Sequence, residues 1–239
     1  MSTKPPLTYA SEQLIVISAF DKTGKMVEDW AEDGFLCYCI DIQHEPGERR
    51  DGNIIYVGCS VYDWAGPSTP GRVVAFFAFP PCTHLAVSGA RWFAQKELLN
   101  PGTRFEAMRL VYWAHEYGES LGVPYFIENP VSVIASEWRK PDYSFNPCEY
   151  GGYLEDYSED AYTKRTCLWA GGGFQMPKKK PVEPVLGSKM HLLPPSQERA
   201  NLRSATPRGF ARAVFQANHK PCRPFMQQMS LFSNLSAPC

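Results

Sequence analysis

Short apolar runs alternate with amphipathic segments along the first half of the chain. Residues 14–20 (LIVISAF) and 35–42 (FLCYCIDI) are apolar runs of strand length. The segment KMVEDWAED between them has helical spacing, and Gly34 follows it at a position typical of a helix end. Strand, helix and strand at this spacing predict a βαβ unit and therefore a parallel sheet.

The same alternation continues beyond the first unit. Strands are predicted at 54–57, 73–79 and 125–128, and a helix is predicted at 103–121 because Gly122 supplies its stop. The apolar face of this helix would consist of Phe105, Ala107, Met108, Val111 and Ala114. Apolar strands alternating with amphipathic helices predict an α/β fold with a doubly wound, mostly parallel, Rossmann-like sheet.

The remainder of the chain predicts two further segments after a catalytic core at 1–140. Residues 141–195 are rich in Gly, Pro, Tyr and charge with little periodicity, which predicts a small irregular insertion. Residues 196–239 would supply a C-terminal helix that completes the core, followed by a tail. In TPRGFARAVFQANH, Thr206 suits the N-cap and Pro207 the first helical position.

Composition and charge limit the possible partners. The chain has 239 residues, with 24 Lys and Arg against 25 Asp and Glu, so a polyanion would need a local patch such as the lysines at 178–180. No apolar segment approaches the roughly 20 residues that span a bilayer, and the N-terminus lacks the apolar part of a signal peptide. We therefore expect a cytoplasmic protein without a membrane partner.

The cysteines indicate reduced thiols. Eight cysteines in a chain of this length are too few for a disulfide scaffold. Cys37 and Cys39 point to one face of a predicted strand and are expected in the core. Cys148 and Cys167 show no Cys-x-x-Cys pairing, so no metal is expected.

One cysteine has a different setting. In FAFPPCTHLAVSGARW, Cys82 follows Pro80 and Pro81 at the end of a predicted strand, and Glu128 ends the next one. Ligands of open α/β sheets bind beyond these strand ends. A thiolate that adds to carbon 6 of a pyrimidine makes carbon 5 nucleophilic, and a carboxyl group at ring nitrogen 3 stabilises the charge that develops. The two loops therefore predict pyrimidine chemistry.

These motifs carry a family resemblance. PPCTHLAVSGAR resembles the nucleophile motif of phage-type DNA cytosine-C5 methyltransferases, and IENP resembles their Glu-Asn-Val motif with proline for valine. VISAFDKTGKMVEDWAEDGFLCYCIDI resembles their first cofactor motif, TKRTCLW their basic segment, and RSATPRGFARAV their C-terminal motif. The chain looks like a short member of this family, which implies a fold of the S-adenosylmethionine-dependent methyltransferase type.

The resemblance also implies roles for individual residues. It makes DNA the substrate, with the target cytosine flipped out of the duplex, and S-adenosylmethionine the cofactor. The implied catalytic residues are Cys82, Glu128, Asn129 and Arg165. The implied cofactor contacts are Phe20, Gly24, Asp41, Asp63 and Pro80. The implied substrate contacts are Pro81, Ser88, Arg91, Pro130 and Lys164.

The chain departs from the family pattern in its cofactor loop. FDKTG has Asp21 and Lys22 in a loop that is glycine-rich in the family, and Gly24 alone remains. Two alternative functions therefore stay open. One is the same cysteine chemistry on a free cytosine nucleotide or with another one-carbon donor, and the other is a non-catalytic DNA-binding relative.

Overall fold

One sheet of eight strands organises the fold. The computed structural model describes residues 12–188 and 204–220. The strands are β1 Leu14–Ala19, β2 Leu36–Ile40, β3 Gly47–Asp51, β4 Ile54–Gly58, β5 Arg72–Ala78, β6 Tyr125–Pro130, β7 Tyr143–Phe145 and β8 Thr166–Gly171. The helices are α1 Glu28–Glu32, α2 Phe93–Leu99, α3 Thr103–Leu121, α4 Ile134–Glu137 and α5 Arg208–Asn218, with short 3-10 helices between several of these elements.

The centre of the sheet is parallel and its edges are antiparallel. The strand order is β3-β4-β2-β1-β5-β6-β8-β7. Strands β4, β2, β1, β5 and β6 pair in parallel, whereas β3 pairs antiparallel with β4 and β8 runs antiparallel to both β6 and β7. The chain moves outward from β1 in one direction through β2 and in the other through β5. The predicted α/β class with a mostly parallel sheet is confirmed.

Two apolar cores lie on opposite faces of this sheet, because successive strand residues point to opposite sides. Ile15 and Ile17 pack with the buried face of α3 in one core, whereas Val16 packs with α1 and α5 in the other. Cys37 and Cys39 are buried in this second core, as the sequence predicted. Within the described ranges, none of the helices is long and apolar enough to span a bilayer.

The long helix α3 has the predicted bounds, and Gly122 ends it with a φ of +62°. One member of its predicted apolar face is wrong, because Phe105 is 66% exposed. At 3.6 residues per turn, Phe105 lies about 120° around the helix from Val111, outside the stripe that contacts the sheet.

The segment predicted to be irregular contributes two strands to the main sheet. β7 and β8 both lie within 141–195, and β8 pairs along its whole length with β6. The expectation of little regular structure was therefore wrong for these residues, because their strand conformation comes from long-range pairing. The hairpin strand β3 was also missed, since all five of its residues are exposed and it has no apolar pattern. The boundary at residue 195 lies outside the described residues.

Helix α5 begins one residue later than predicted. Pro207 occupies the N-cap position with extended backbone angles, and Thr206 precedes it, so the predicted Thr206 cap is wrong. A buried carboxylate from another part of the chain serves the helix start, because Asp160 Oδ2 accepts a 2.6 Å hydrogen bond from the Gly209 N–H. This contact joins α5 to the segment between β7 and β8.

Candidate active site at the carboxyl edge of the sheet

The carboxyl ends of the five parallel strands bring most of the candidate residues to one edge. Adjacent strands lie about 4.8 Å apart, so consecutive strand ends form a continuous row. Along the sheet, this row contains Asp63 after β4, Asp41 after β2, Phe20 and Gly24 after β1, Pro80, Pro81 and Cys82 after β5, and Glu128, Asn129 and Pro130 at the end of β6. Because β8 runs the other way, Lys164 and Arg165 reach the same edge just before it begins.

Hydrogen bonds join the loop of Cys82 to the strand of Glu128. The Cys82 carbonyl accepts from the N–H groups of Leu85 at 3.0 Å and Ala86 at 2.9 Å, which makes a tight turn after the two prolines. Asn129 Nδ2 donates a 2.9 Å hydrogen bond to the Pro80 carbonyl. The side chain of Cys82 is half-buried. The Cys82 loop is therefore held in place by the residue that follows Glu128.

The two loops also run side by side beyond these contacts. Val87 N donates to Val131 O at 3.0 Å, and Val133 N donates to Leu85 O at 2.9 Å. Such backbone pairing resists relative movement, so the spacing between the thiol and the carboxyl group is set by main-chain contacts.

Glu128 has a buried carboxyl oxygen that lacks a hydrogen-bond donor in the part of the chain that the structure describes. Its Oε1 is inaccessible to solvent and accepts no hydrogen bond from any described residue. Burial raises the pKa of this carboxyl group, and the nearby ammonium of Lys164 opposes the increase. A buried acceptor without a donor costs about 1–3 kcal/mol, so such atoms in native proteins call for an explanation. A ligand donor, or a proton held for transfer, would supply one.

A small pocket lies beside this carboxyl group. Glu128 and Lys164 provide its charged groups, and Phe79 provides an aromatic wall next to the Pro80 turn. The other lining residues come from distant parts of the chain and are Phe145, Thr166, Ser204, Ala205, Thr206, Pro207 and Phe210. Cys82 lies on the adjoining loop rather than in the pocket wall. Sequence reasoning missed these walls, although Phe79 directly precedes the proline pair.

Cations surround this end of the edge. Lys164 is half-buried and Arg165 is exposed. Ser88 and Arg91 lie on the exposed 3-10 helix Val87–Trp92 that follows the Cys82 turn, so they stand apart from the row of strand ends. The Arg91 guanidinium lies 5.1 Å from the centre of the half-exposed Trp92 ring.

The lysine triplet at 178–180 does not present three available cations. Lys179 forms a 2.8 Å ion pair with Glu149, and the Lys180 ammonium lies 4.2 Å from the centre of the Tyr153 ring. These contacts weaken the prediction that this triplet forms a phosphate-binding patch.

The loop after β1 has unusual backbone geometry. Phe20 has a φ of +60°, the one positive value outside glycine among the described residues, and Gly24 has a φ of +70°. A bulky residue in this region is strained, and such strain concentrates at functional sites. The Phe20 ring packs edge-on against Trp113 at 5.9 Å. This loop faces the end of β2, where Asp41 Oδ1 accepts a 2.8 Å hydrogen bond from the Gln43 N–H.

Asp21 is a residue of this loop whose role the sequence did not reveal. Its Oδ1 accepts from the N–H groups of Thr23 at 3.0 Å and Gly24 at 2.8 Å, and its Oδ2 accepts from the Ser18 hydroxyl at 2.7 Å. Burial raises the pKa of Asp21, and these hydrogen bonds oppose the increase. The carboxylate therefore uses backbone donors that an open glycine-rich loop would offer to a bound anion.

Two side chains bridge the loops after β1 and β2. The Lys22 ammonium contacts the Gln43 carbonyl, and His44 Nε2 lies 3.1 Å from the Asp21 carbonyl. The exposed face beside them includes Ile42, which is 75% exposed directly after Asp41. An apolar side chain next to a strand-end carboxylate suits a nucleoside, with its flat base and its ribose hydroxyls.

Asp63 lies furthest along this edge. It is exposed, and its N–H donates to the Ser60 carbonyl at 3.0 Å in the turn after β4. Among residues 12–188 and 204–220, no group of three or more His, Cys, Asp or Glu side chains is arranged to hold a metal ion. No protein-family model and no curated protein matches this sequence.

Proposed function

We propose that this chain is an S-adenosylmethionine-dependent DNA cytosine-C5 methyltransferase that acts through Cys82 and Glu128. The observation that carries the proposal is the buried Oε1 of Glu128, which has no hydrogen-bond partner among the described residues and lies on the strand that is hydrogen-bonded to the Cys82 loop. A nucleophilic thiol and a carboxyl group with a raised pKa at adjacent strand ends are suited to covalent activation of a pyrimidine.

The strand order supports the methyltransferase type of sheet. The parallel strands follow the doubly wound order, with the reversal between β1 and β5 at which such folds bind nucleotides. A reversed strand, β8, then lies between β6 and the outer strand β7. This mixed edge is compatible with the proposed type of sheet.

The two functional groups have complementary tasks in this proposal. The Cys82 thiolate forms a bond to carbon 6 of the ring, and Glu128 donates a hydrogen bond or proton to nitrogen 3, which neutralises the charge placed on the ring. Carbon 5 would then carry the electron pair that bonds to the methyl group of S-adenosylmethionine, and the methyl–sulfur bond would break to leave S-adenosylhomocysteine. Removal of the carbon 5 proton by a base restores the ring and expels the thiolate of Cys82.

The residues at the other end of the edge fit the nucleoside part of the cofactor. Among the described residues, Asp41 Oδ1 accepts from the Gln43 N–H and Oδ2 accepts no hydrogen bond, so Oδ2 suits a ribose hydroxyl, and Ile42 offers an apolar surface for adenine. When bound, S-adenosylmethionine supplies an electrophilic methyl group. Phe20, at the start of the strained loop, stands between this region and the Cys82 loop.

Nucleic acid would approach over the loops at this edge. Lys164, Arg165 and Arg91 provide local positive charge on a chain with a net charge of −1. Carbon 6 of a stacked cytosine is inaccessible, so the base would be extruded toward the pocket beside Glu128. Phe79 in the pocket wall would supply a stacking surface for it.

A covalent trap tests this proposal. Incubation with S-adenosylmethionine and DNA that contains 5-fluorocytosine should leave the protein attached to the strand, because fluorine cannot leave as a cation after methylation. Peptide mass spectrometry should map the bond to Cys82. The Cys82→Ser variant should lose the adduct, since a hydroxyl group is a far weaker nucleophile near neutral pH.

A matched control and a second substrate separate the alternatives. Cys59 is another half-buried thiol, placed after β4, and Cys59→Ser should still form the adduct. An adduct on any other cysteine would refute the assignment of the nucleophile. Turnover of dCMP without turnover of DNA would favour the nucleotide enzyme, and DNA binding without cofactor binding would favour the non-catalytic relative.

A further inference from the structure

We infer that Lys22 is the residue that binds the carboxylate of the cofactor, in place of the backbone amides of the loop after β1. This inference rests on the proposed function, because it concerns the same cofactor. It assigns to a lysine the task that a glycine-rich loop performs with its N–H groups.

Two amides of the loop after β1 are already used. Asp21 Oδ1 accepts hydrogen bonds from both Thr23 N and Gly24 N, and the Thr23 hydroxyl adds a third at 3.1 Å. Asp21 is only 4% exposed, so the side chain cannot swing into solvent without breaking this turn. A ligand carboxylate would also be repelled by the acid that holds these donors.

The Lys22 ammonium lies at the opening between the ends of β1 and β2. Lys22 directly follows Asp21 and extends across the opening between the ends of β1 and β2, where its nitrogen contacts the Gln43 carbonyl. His44 Nε2 lies 3.1 Å from the Asp21 carbonyl and the Gln43 N–H donates to Asp41 Oδ1 at 2.8 Å, so the loop that follows β2 packs against the loop after β1 at this opening. The ammonium is thus within the region that a ligand on Asp41 would occupy.

The opening between the ends of β1 and β2 contains charges of both signs. Asp21 and Asp41 place two carboxylates at the strand ends, and both would oppose an anionic ligand group. Lys22 is the basic side chain that reaches into the opening between them, and its recorded contact is with a neutral carbonyl. A ligand carboxylate can replace that carbonyl, because an ion pair with a hydrogen bond is stronger than a bond to a neutral acceptor.

The test measures binding rather than activity. S-adenosylhomocysteine and its decarboxylated analogue, S-adenosyl-3-thiopropylamine, are titrated separately into the full chain by calorimetry. The wild-type protein should bind the carboxylated ligand about tenfold more tightly, the low end for a charged hydrogen bond in an open site. Lys22→Met should lose this preference or reverse it, because Asp21 and Asp41 then repel the ligand carboxylate, and Lys22→Arg should keep most of the preference.

Two control variants test whether the effect is specific to Lys22 and to the ligand carboxylate. Lys25 is an exposed lysine three positions further along the same loop, and Lys25→Met should leave the preference unchanged. Asp41→Ala should lower the affinity for both ligands by the same factor, because Asp41 contacts the nucleoside part that they share. Thermal unfolding of each variant checks that the fold is retained.

The outcomes distinguish this inference from the proposed function. Binding of both ligands, with the carboxylate preference intact in Lys22→Met, would overturn the role of Lys22 and leave the methyltransferase proposal standing. A wild-type protein that binds neither ligand at millimolar concentration would overturn both. Loss of the preference in Lys25→Met as well as in Lys22→Met would show a general effect of charge, and would also refute a specific contact.

Discussion

Replacement of Glu128 by glutamine should slow catalysis while making the protein more stable. The substitution keeps the size and shape of the side chain and removes its negative charge. Glu128 Oε1 is buried without a hydrogen-bond partner among the described residues, and burial raises the pKa of the group. Folding therefore removes this carboxyl group from water without replacing all of its hydrogen bonds. Such a loss of stability is common at residues that are kept for function.

The size and pH dependence of the effect follow from this burial. An unmatched buried polar atom costs about 1–3 kcal/mol, and a neutral amide should recover on the order of 1 kcal/mol of it. Since the folded pKa lies above the ordinary value of 4.5, the folded state holds the proton more tightly than the unfolded state. Wild-type stability should therefore fall as pH rises from 4.5 through the folded pKa, and the glutamine variant should not show this loss.

Urea unfolding at a series of pH values measures this difference. The two proteins should have equal stability near pH 4, and the glutamine variant should be more stable at pH 8, with a melting temperature roughly 2–4 °C higher per kcal/mol. Glu116→Gln, at an exposed position on α3, is the matched control and should show no such divergence.

The catalytic rate of Glu128→Gln should fall although its stability rises. Loss of a positioned proton donor should slow methyl transfer by about 10²–10⁴-fold, with DNA binding retained. A glutamine variant that is less stable than the wild type at pH 8 would refute the account of an uncompensated carboxyl group. Full activity in a stable variant would exclude Glu128 as the acid.

Two further predictions concern the contacts around this group. Asn129→Ala removes the hydrogen bond to the Pro80 carbonyl, so it should lower the free energy of unfolding, measured in urea, by about 1 kcal/mol and slow formation of the fluorocytosine adduct. An unchanged rate of trapping would show that this bond does not position the thiol. Neutralising Lys164 and Arg165 together should reduce the slope of log affinity for duplex DNA against log salt concentration by about one per lost phosphate contact, measured by fluorescence anisotropy. An unaltered slope would show that DNA binds elsewhere on the protein.

The sequence by itself determined the central strands, the longest helix and the position of the thiol loop. β1, β2, β5 and β6 are short apolar runs, and α3 combines helical spacing with a terminal glycine, so each pattern is complete within its own segment. The order of these elements is sufficient to predict a parallel sheet. The carboxyl edge follows from that order, because ligand loops of such sheets lie at the strand ends.

The tertiary structure decided the features that depend on residues far apart in the chain. β8 has strand form because it pairs with β6, and β3 pairs with β4 although all its residues are exposed. β3 has no local apolar signal, and the short apolar run at 167–170 in β8 does not reveal which strand it pairs with. The start of α5 is likewise set by the distant Asp160 carboxylate rather than by the adjacent threonine.

The same limit applies to the candidate site. The sequence indicated Cys82 and Glu128, but only the folded chain shows that Glu128 Oε1 is buried in a pocket shared with Lys164 and that the pocket walls come from the region of α5. FDKTG reads as a glycine loop with substitutions, whereas in the structure Asp21 occupies the loop amides and Lys22 reaches the neighbouring loop. Burial and hydrogen bonding arise from the packing of several segments together, and no single segment of sequence encodes them.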